Sequence, residues 1–164
     1  MNAHEKLIRE FYEAFANRDA AGMARCYHPD IFFSDTVFPS LRGHEATAMW
    51  AMLCARGKDL AITLSNVQAS EEGATAHWDA TYTFTQTGRF VNNSIDATFA
   101  FRDGKIVRHI DRFSFWAWAK RALGPMGLLL GWFGPLKSAI RKKADRGLRD
   151  YMSKHEDSIP HPGQ

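Results

Sequence analysis

The stretch FFSDTVFP, residues 32–39, places one carboxylate, Asp35, among apolar side chains. Moving an ionised carboxylate into a dry environment is costly unless the group is paired or hydrogen-bonded. Such a residue therefore either lies at the surface or serves a function in an apolar site. If Phe32 and Phe38 surround Asp35, desolvation should raise its pKa and tune it for proton transfer. The alternative is an aspartate that only caps a loop, and both interpretations stay open at this point.

A pair of ionisable side chains lies in the segment KIVRHIDRFSFW. Period-2 alternation in this predicted strand puts His109 and Asp111 on one face. The other residues of that face are apolar: Val107, Phe113 and Phe115. An imidazole and a carboxylate two residues apart can fix each other's protonation state, which suits an acid/base pair or an anchor for a polar ligand group. The alternative is a structural polar cluster, paired with Arg42 or Arg112.

The remaining sequence predicts the elements that position these groups. Apolar residues at helical spacing in AHEKLIREFYEAFANRDAAGMARCY indicate two helices, the second with Asp19 as its N-cap, and HEATAMWAMLCARG indicates a helix that ends at Gly57. A strand through DIFFSD precedes that helix. Four alternating strands follow it, joined by the turns EEG, TG and RDG. The order α-α-β-α-β-β-β-β predicts the α+β class with an antiparallel sheet.

Strand alternation also predicts which side chains face the interior of the sheet. In ATAHWDATYTF the inner set contains Trp78 and Tyr82, and in RFVNNSIDATFAF it contains Asn93, whereas Asp96 faces outward. Trp50 on the third helix is a candidate for the same interior, although an aromatic residue on a helical face is more often part of a core.

The opening FYEAFANRDAAGMARCYHPDIFFSD, the hairpin FAFRDGKIVRHIDRFSF and the order of elements resemble the nuclear transport factor 2 superfamily over residues 3–116. This superfamily includes the ketosteroid isomerases and the SnoaL-type polyketide cyclases. The resemblance implies a cone-shaped, curved antiparallel sheet wrapped around the N-terminal helices, which is a cystatin-like α+β roll. It also implies an apolar cavity at the wide end of the cone.

The same resemblance implies roles for individual positions. Asp35 corresponds to the general base of the ketosteroid isomerases, and Asp111 to the acid/base aspartate of the polyketide cyclases. Counting back from the last turn would match Asp96 to a second isomerase carboxyl, but the strand phase sends it outward. The tyrosine that completes the isomerase oxyanion hole falls on Phe11, with Tyr12 next to it.

Together these patterns predict a cofactor-free isomerase, cyclase or dehydratase that acts by proton transfer on a small hydrophobic, steroid- or polyketide-like carbonyl or hydroxyl compound. The candidate catalytic residues are Asp35, Asp111 and His109. The candidate ligand-binding residues are Trp50, Trp78, Tyr82, Asn93, Phe11 and Phe113. The histidines lack paired zinc-ligand spacing and no glycine-rich phosphate loop is present, so no metal or cofactor is expected. The alternatives are a non-catalytic carrier of a lipid-like ligand and a purely structural dimer.

A C-terminal helical extension, residues 117–164, follows the predicted cone domain of residues 1–116. It contains an apolar segment, PMGLLLGWF, and then a basic amphipathic helix. We expect the large apolar side chains of this segment to be buried against the cone as a lid, or against a second subunit. They are Leu128, Leu129, Leu130, Trp132 and Phe133. The alternative is peripheral contact with an anionic membrane surface.

Composition limits the remaining classes of function. A chain of 164 residues with 45% hydrophobic content can bury a core as one domain. The net charge of +3 arises near the C-terminus, so nucleic-acid binding is not expected. Cys26 and Cys54 fit no disulfide or metal spacing, and the N-terminus lacks the apolar stretch of a signal peptide, which predicts a cytoplasmic protein. The expected partners are a small hydrophobic molecule and a second copy of the chain in a homodimer.

Overall fold

The protein has an α+β fold in which helices pack on the inner face of one curled sheet. The structure is a computed structural model that describes residues 1–130 and 134–164, without the side chains of Leu128 and Leu130. Its helices are α1 (Ala3–Ala16), α2 (Ala20–Cys26), α3 (His44–Arg56), α4 (Phe115–Leu123), α5 (Pro125–Leu130) and α6 (Gly134–Lys154). Its strands are β1 (Tyr27–Ser34), β2 (Leu41–Arg42), β3 (Ala61–Ala69), β4 (Ala74–Phe84), β5 (Arg89–Arg102) and β6 (Lys105–Arg112). A short 3-10 helix, Glu156–Ser158, follows α6.

The strand order is β2-β1-β6-β5-β4-β3, so the sheet has two open edges and does not close. Neighbouring strands are antiparallel except β1 and β6, which run parallel. This pair departs from the fully antiparallel prediction because β6 is reached from β1 through α3 and four further strands rather than through a hairpin. The predicted α+β class, curved sheet and C-terminal helix are confirmed. The two-residue strand β2 was missed because its sequence resembles the surrounding loop.

Local capping explains the ends of the helices. Asp19 caps α2, since its Oδ1 accepts a hydrogen bond of 2.9 Å from the Gly22 amide. Gly57 ends α3, since its amide donates a hydrogen bond of 2.8 Å to the Leu53 carbonyl oxygen. Both boundaries agree with the sequence prediction.

The last strand ends earlier than the alternation of apolar residues predicts. β6 stops at Arg112, and the Ser114 hydroxyl accepts a hydrogen bond of 3.2 Å from the Ala117 amide, which starts α4. Because Ser114 is a good N-cap, the chain turns into a helix there. Phe115 therefore lies on α4 and not on the strand face of His109.

A register shift in the pairing of β5 with β6 changes a second expected position. The shift lies between Ala100 and Phe101, opposite the start of β6. An extra residue in one strand reverses the faces of the residues on one side of it. Ile106 is consequently buried on the core side, while Val107, predicted to share the face of His109, is only partly buried.

The C-terminal helices pack on the cone at specific points. Leu148 of α6 is fully buried, and the Arg141 guanidinium donates to the Thr36 carbonyl oxygen at 2.8 Å. Leu129 of α5 is 65% exposed. This side chain therefore does not pack against the cone, contrary to the expectation of a lid. The expectation for the side chains of Leu128, Leu130, Trp132 and Phe133 lies outside the described residues. In the described part of the chain, no helix is both long and apolar enough to cross a membrane.

Candidate active site

A cavity of about 330 Å³ lies between the inner face of the sheet, α3 and α4. Its volume falls at the small end of the range for ligand pockets, roughly 300–1,000 Å³. Most of its wall is aromatic and aliphatic, and the side chains of Asp35, Tyr82, Asn93 and Asp111 supply polar groups to it. A few polar groups in an apolar cavity are the usual arrangement of a small-molecule site.

Asp35 reaches this cavity from the turn that follows β1. Its Oδ1 accepts hydrogen bonds from the amides of Val37, at 2.7 Å, and Phe38, at 2.5 Å, and its own amide donates to the Phe38 carbonyl oxygen at 2.9 Å. Aspartate commonly closes turns in this way. The side chain thus caps a loop with one oxygen while its carboxyl group also faces the cavity, so the two sequence interpretations are not exclusive.

Burial in the cavity wall raises the pKa of Asp35 from 3.8 to about 7. The negative charge of Asp111 raises it further, whereas the amides of Phe38 and Val37 and the cationic Arg141 oppose the rise. Desolvation is the dominant cause because a carboxylate loses its hydration among apolar neighbours.

Asp111 lies at the end of a chain of buried hydrogen bonds. Its Oδ1 accepts from Trp78 Nε1 at 3.3 Å and lies 2.9 Å from His109 Nε2. His109 Nδ1 in turn lies 2.8 Å from the Tyr27 hydroxyl, which accepts from Trp50 Nε1 at 2.8 Å. Asp111 is 4% exposed and His109 is fully buried.

The donors and acceptors in this series of hydrogen bonds indicate where each proton lies. Trp50 can only donate, so the Tyr27 oxygen accepts from it and the Tyr27 hydrogen is free to go to His109 Nδ1. Burial raises the pKa of Tyr27 well above its usual value, which keeps the phenol protonated. In the tautomer in which His109 Nδ1 accepts from Tyr27, Nε2 carries the proton and donates to Asp111. The Asp111 carboxyl is held in a fixed orientation at the cavity wall as a result.

The structure brings most of the predicted ligand-binding residues to the cavity. Those that line it are Trp50, Trp78, Tyr82, Asn93 and Phe113. His109 does not line it and lies behind Asp111, where it can act only through that carboxyl. Phe11 is fully buried in the core, 5.1 Å from the Tyr27 ring, and is not in the cavity wall. The helical spacing of Phe11 with Ile8 and Phe15 places it among the buried residues of α1.

Tyr12, beside Phe11 on α1, has a buried hydroxyl with no hydrogen-bond partner among the described residues. Burial raises its pKa well above the usual value and the Asp111 charge adds to that rise, whereas the neighbouring Trp78 side chain opposes it. Tyr12 does not line the cavity, so it is not a ligand donor in this conformation.

Tyr82 carries a hydroxyl donor to the cavity, and α4 positions it. The hydroxyl oxygen accepts a hydrogen bond of 2.8 Å from Trp118 Nε1. Its own hydrogen takes no acceptor among the described residues and is available to a ligand oxygen. Burial raises the pKa of Tyr82, with a further contribution from the negative charge of Asp35.

Sequence patterns missed three residues that shape this site: Tyr27, Trp118 and Arg141. Tyr27 begins β1 before the predicted strand, and its contact with His109 spans 82 positions of the chain. Trp118 and Arg141 belong to the C-terminal extension, which lies beyond the stretch that resembles the family. The single available signal was the WAW spacing, which puts one tryptophan on each side of a helix.

Asp96 lies on the outer face of the sheet, as the strand phase predicts. Its side chain is 82% exposed, and its Oδ1 lies 2.8 Å from His77 Nδ1. This hydrogen bond is the largest cause of a raised pKa of His77. Asp96 is therefore separated from the cavity by the sheet itself.

Among the described residues, no group of three or more His, Cys, Asp or Glu side chains converges in a way that could hold a metal ion. Cys26 and Cys54 are buried free thiols, and burial raises the pKa of each to about 11. Neither is poised as a nucleophile, because the reactive form of cysteine is the thiolate.

The sequence matches the family described as SnoaL-like domain over residues 8–109, more than half of the chain. No curated protein matches it in sequence. Its fold is similar to that of a protein with a ketosteroid isomerase-like fold from Catenulispora acidiphila, in complex with trimethylamine. The TM-score is 0.65 at 11% identity, covering 73% of this chain and 94% of that chain.

Two further solved structures are similar and carry different activities. One is a candidate polyketide cyclase from Xanthomonas campestris pv. campestris, with a TM-score of 0.58, 22% identity and coverage of 73% of this chain and 96% of that chain. The other is an LEH-like epoxide hydrolase from M. tuberculosis, with a TM-score of 0.60, 16% identity and coverage of 78% and 93%. Structural similarity at such low sequence identity establishes a common fold and leaves the reaction open. The chain belongs to the SnoaL-like domain family and has the fold of the nuclear transport factor 2-like superfamily.

Proposed function

We propose that the protein is a cofactor-free enzyme that transfers a proton on a small hydrophobic carbonyl or hydroxyl compound, in an isomerisation, cyclisation or dehydration. The observation that carries this proposal is Asp35, whose carboxyl faces a mainly apolar cavity and has a pKa raised to about 7. An acid/base group is most effective when its pKa is close to the working pH.

In the proposed step, the Asp35 carboxylate removes a proton from the carbon next to a ligand carbonyl. The electrons of the broken C–H bond form an enolate, and Asp35 returns the same proton to another carbon, so an isomerisation needs no external oxidant or reductant. The Tyr82 hydroxyl is the proposed donor to the enolate oxygen, and Trp118 holds that hydroxyl in place. The Asn93 amide, also in the cavity wall, is a second candidate for contact with this oxygen.

Asp111 has two proposed roles in this scheme. Its charge keeps the pKa of Asp35 high, and its carboxyl is a second acid/base group on the same cavity. His109 is a positioning residue, because its Nε2 proton orients Asp111 without reaching the cavity.

Exchange of ligand protons with deuterated solvent tests the proposal without knowledge of the natural substrate. Bicyclic and polycyclic ketones that bind the purified protein are incubated with it in D₂O, and NMR follows deuterium incorporation next to the carbonyl. We expect exchange that Asp35→Asn slows by at least about 100-fold. The control Asp96→Asn, an exposed aspartate on the outer face, should exchange at the wild-type rate.

A non-catalytic carrier of a lipid-like ligand is the second candidate. One Asp111 oxygen is engaged by both Trp78 and His109, and one Asp35 oxygen by two backbone amides, so both carboxyls also hold the fold together. A carrier would bind the same ketones with no deuterium exchange, and Asp35→Asn would leave their affinity within about twofold. That result would contradict the enzyme proposal and support the carrier.

A further inference from the structure

Several large apolar side chains remain exposed, and most of them lie on two consecutive helices. Among the described residues, the exposed ones are Met1, Phe90, Trp116, Met126 and Leu129. All except Met1 belong to α4, α5 or the start of β5. We call Trp116, Met126 and Leu129, which lie on the contacting helices α4 and α5, the apolar patch. A cluster of this kind on a soluble protein indicates an interaction surface.

Hydrogen bonds join the start of β5 to α4, the helix that carries Trp116. Arg89, next to Phe90, donates from Nε to the Arg121 carbonyl oxygen at 2.9 Å, and the Thr87 hydroxyl donates to the Ala122 carbonyl oxygen at 2.5 Å. The start of β5 is thereby held against the C-terminal end of α4, from which α5 continues. Val91 packs against α4 from the same strand, so the preceding residue, Phe90, faces the other side of the sheet and is not part of the patch.

The chain around the apolar patch is exclusively cationic in its formal charges. Residues 113–144 contain six Lys or Arg and neither Asp nor Glu. Lys120 Nζ lies 4.6 Å from the centre of the Trp116 ring, so one cation directly borders the patch. Lys143 Nζ lies 3.1 Å from Gln86 Oε1, in the turn that leads to Phe90. Apolar side chains bordered by cations are the pattern of a protein that lies on an anionic lipid surface.

The patch and the cavity occupy opposite sides of one helix. Trp116 and Trp118 are two residues apart on α4, which corresponds to roughly 200° around a helix. Trp118 lines the cavity, while Trp116 is 37% exposed in the apolar patch. A surface that engages α4 from outside therefore lies one helix away from the ligand site.

We propose that the apolar patch and its cations form a docking surface for an anionic lipid bilayer, with the patch inserted at the level of the headgroups. Anionic headgroups would neutralise the cations, whereas a second copy of this chain, paired about a two-fold axis through the patch, would bring like charges together. This inference does not depend on catalysis in the cavity.

Co-sedimentation of the full-length protein with lipid vesicles tests the proposal. The vesicles contain either phosphatidylcholine alone or equal parts of phosphatidylcholine and phosphatidylglycerol. We expect binding to the second composition, weakened by added salt because screening reduces attraction between charges. Met126→Ser with Leu129→Ser, and separately Lys142→Glu with Lys143→Glu, should each reduce partition at least about tenfold.

The matched control for charge is Lys6→Glu with Arg25→Glu, which changes the net charge equally on α1 and α2, away from the patch. Lys6 and Arg25 are 67% and 58% exposed, so this variant should fold and should bind vesicles better than the Lys142/Lys143 variant.

Equal binding to both vesicle compositions, no binding to either, or unchanged partition of the patch variants would overturn the proposal. A concentration-dependent dimer that Met126→Ser with Leu129→Ser abolishes would show that a second copy covers the patch, which also overturns it. Asp35→Asn should bind vesicles normally even if deuterium exchange fails, so the two proposals are tested separately.

Discussion

At the scale of the residue, the site depends on what surrounds each polar group. Asp35 and Asp96 are both aspartates in strand-rich sequence, yet Asp35 faces a cavity and Asp96 faces solvent beside His77. The sequence predicted this difference from the apolar neighbours of Asp35 and from strand alternation. The effect of the Asp111 charge on the pKa of Asp35 was not predictable, because the distance between the two residues depends on how β1 and β6 pair.

Replacement of Asp35 by asparagine should stabilise the fold at neutral and alkaline pH. The pKa of Asp35 is about 7 in the folded chain and 3.8 for an ordinary aspartate. Between these values the folded chain keeps a proton that the unfolded chain releases, so wild-type stability falls as pH rises through this window. Urea unfolding at about pH 8 should show Asp35→Asn more stable by roughly 1–3 kcal/mol, with the gain shrinking towards about pH 4. A gain that is independent of pH would contradict the raised pKa.

Replacement of Tyr27 by phenylalanine should destabilise the protein. It removes the acceptor of Trp50 Nε1 and the partner of His109 Nδ1, which leaves two buried polar groups unpaired. We expect a loss of about 1–3 kcal/mol in the free energy of unfolding, measured in urea. Tyr12→Phe is the matched control, since the Tyr12 hydroxyl is buried without a partner in the described residues. Its removal should cost nothing or slightly stabilise the fold, and equal losses in the two variants would refute the hydrogen-bond chain.

At the scale of the element, the site is assembled from strand ends and from the C-terminal helices. β1 delivers Asp35, β6 delivers Asp111, α4 holds Tyr82 through Trp118, and α6 reaches the Asp35 turn through Arg141. The helix boundaries and the inner faces of β4 and β5 follow from caps and alternation, which act locally. The end of β6, the register shift near Phe101 and the parallel pairing of β1 depend on tertiary packing, so alternation alone missed them.

Replacement of Arg141 by methionine should raise the pKa of Asp35 further. The Arg141 guanidinium lies at the Thr36 carbonyl oxygen and lowers the pKa of the neighbouring carboxyl, so the loss of its charge favours the protonated form. NMR titration of the Asp35 carboxyl carbon measures this change. Lys142→Met removes the same charge from the next position of α6 and should leave the titration unchanged. A shift of equal size in both variants would mean that net charge, and not contact with the turn, is responsible.

At the scale of the whole molecule, the C-terminal extension is part of the fold and also carries exposed apolar side chains. Leu148 is fully buried, whereas Leu129 is 65% exposed. The resemblance to the family ends near residue 116, so neither the packing of α6 nor the exposure of α5 was available from it. The predicted homodimer and cytoplasmic location stay predictions.

A matched pair of leucine substitutions tests whether α6 is integrated with the core while α5 exposes its side chain to solvent. Leu148→Ala should lower the free energy of unfolding by about 2–5 kcal/mol, because it leaves a cavity in a closely packed site. Leu129→Ala removes the same atoms from an exposed position and should change it by less than about 0.5 kcal/mol. Urea unfolding of both variants measures these values. Similar small effects of the two substitutions would show that α6 is not integrated with the cone.

The central claim is that Asp35 is a desolvated carboxyl that shares its cavity with the charge of Asp111. The most direct measurement is the NMR titration of the Asp35 carboxyl carbon in the wild-type protein and in Asp111→Asn. The account predicts a pKa of about 7 in the wild type and a lower pKa in Asp111→Asn, because the neighbouring negative charge is gone. A wild-type Asp35 that titrates near 3.8, like an ordinary aspartate, would contradict the claim and with it the proposed proton transfer.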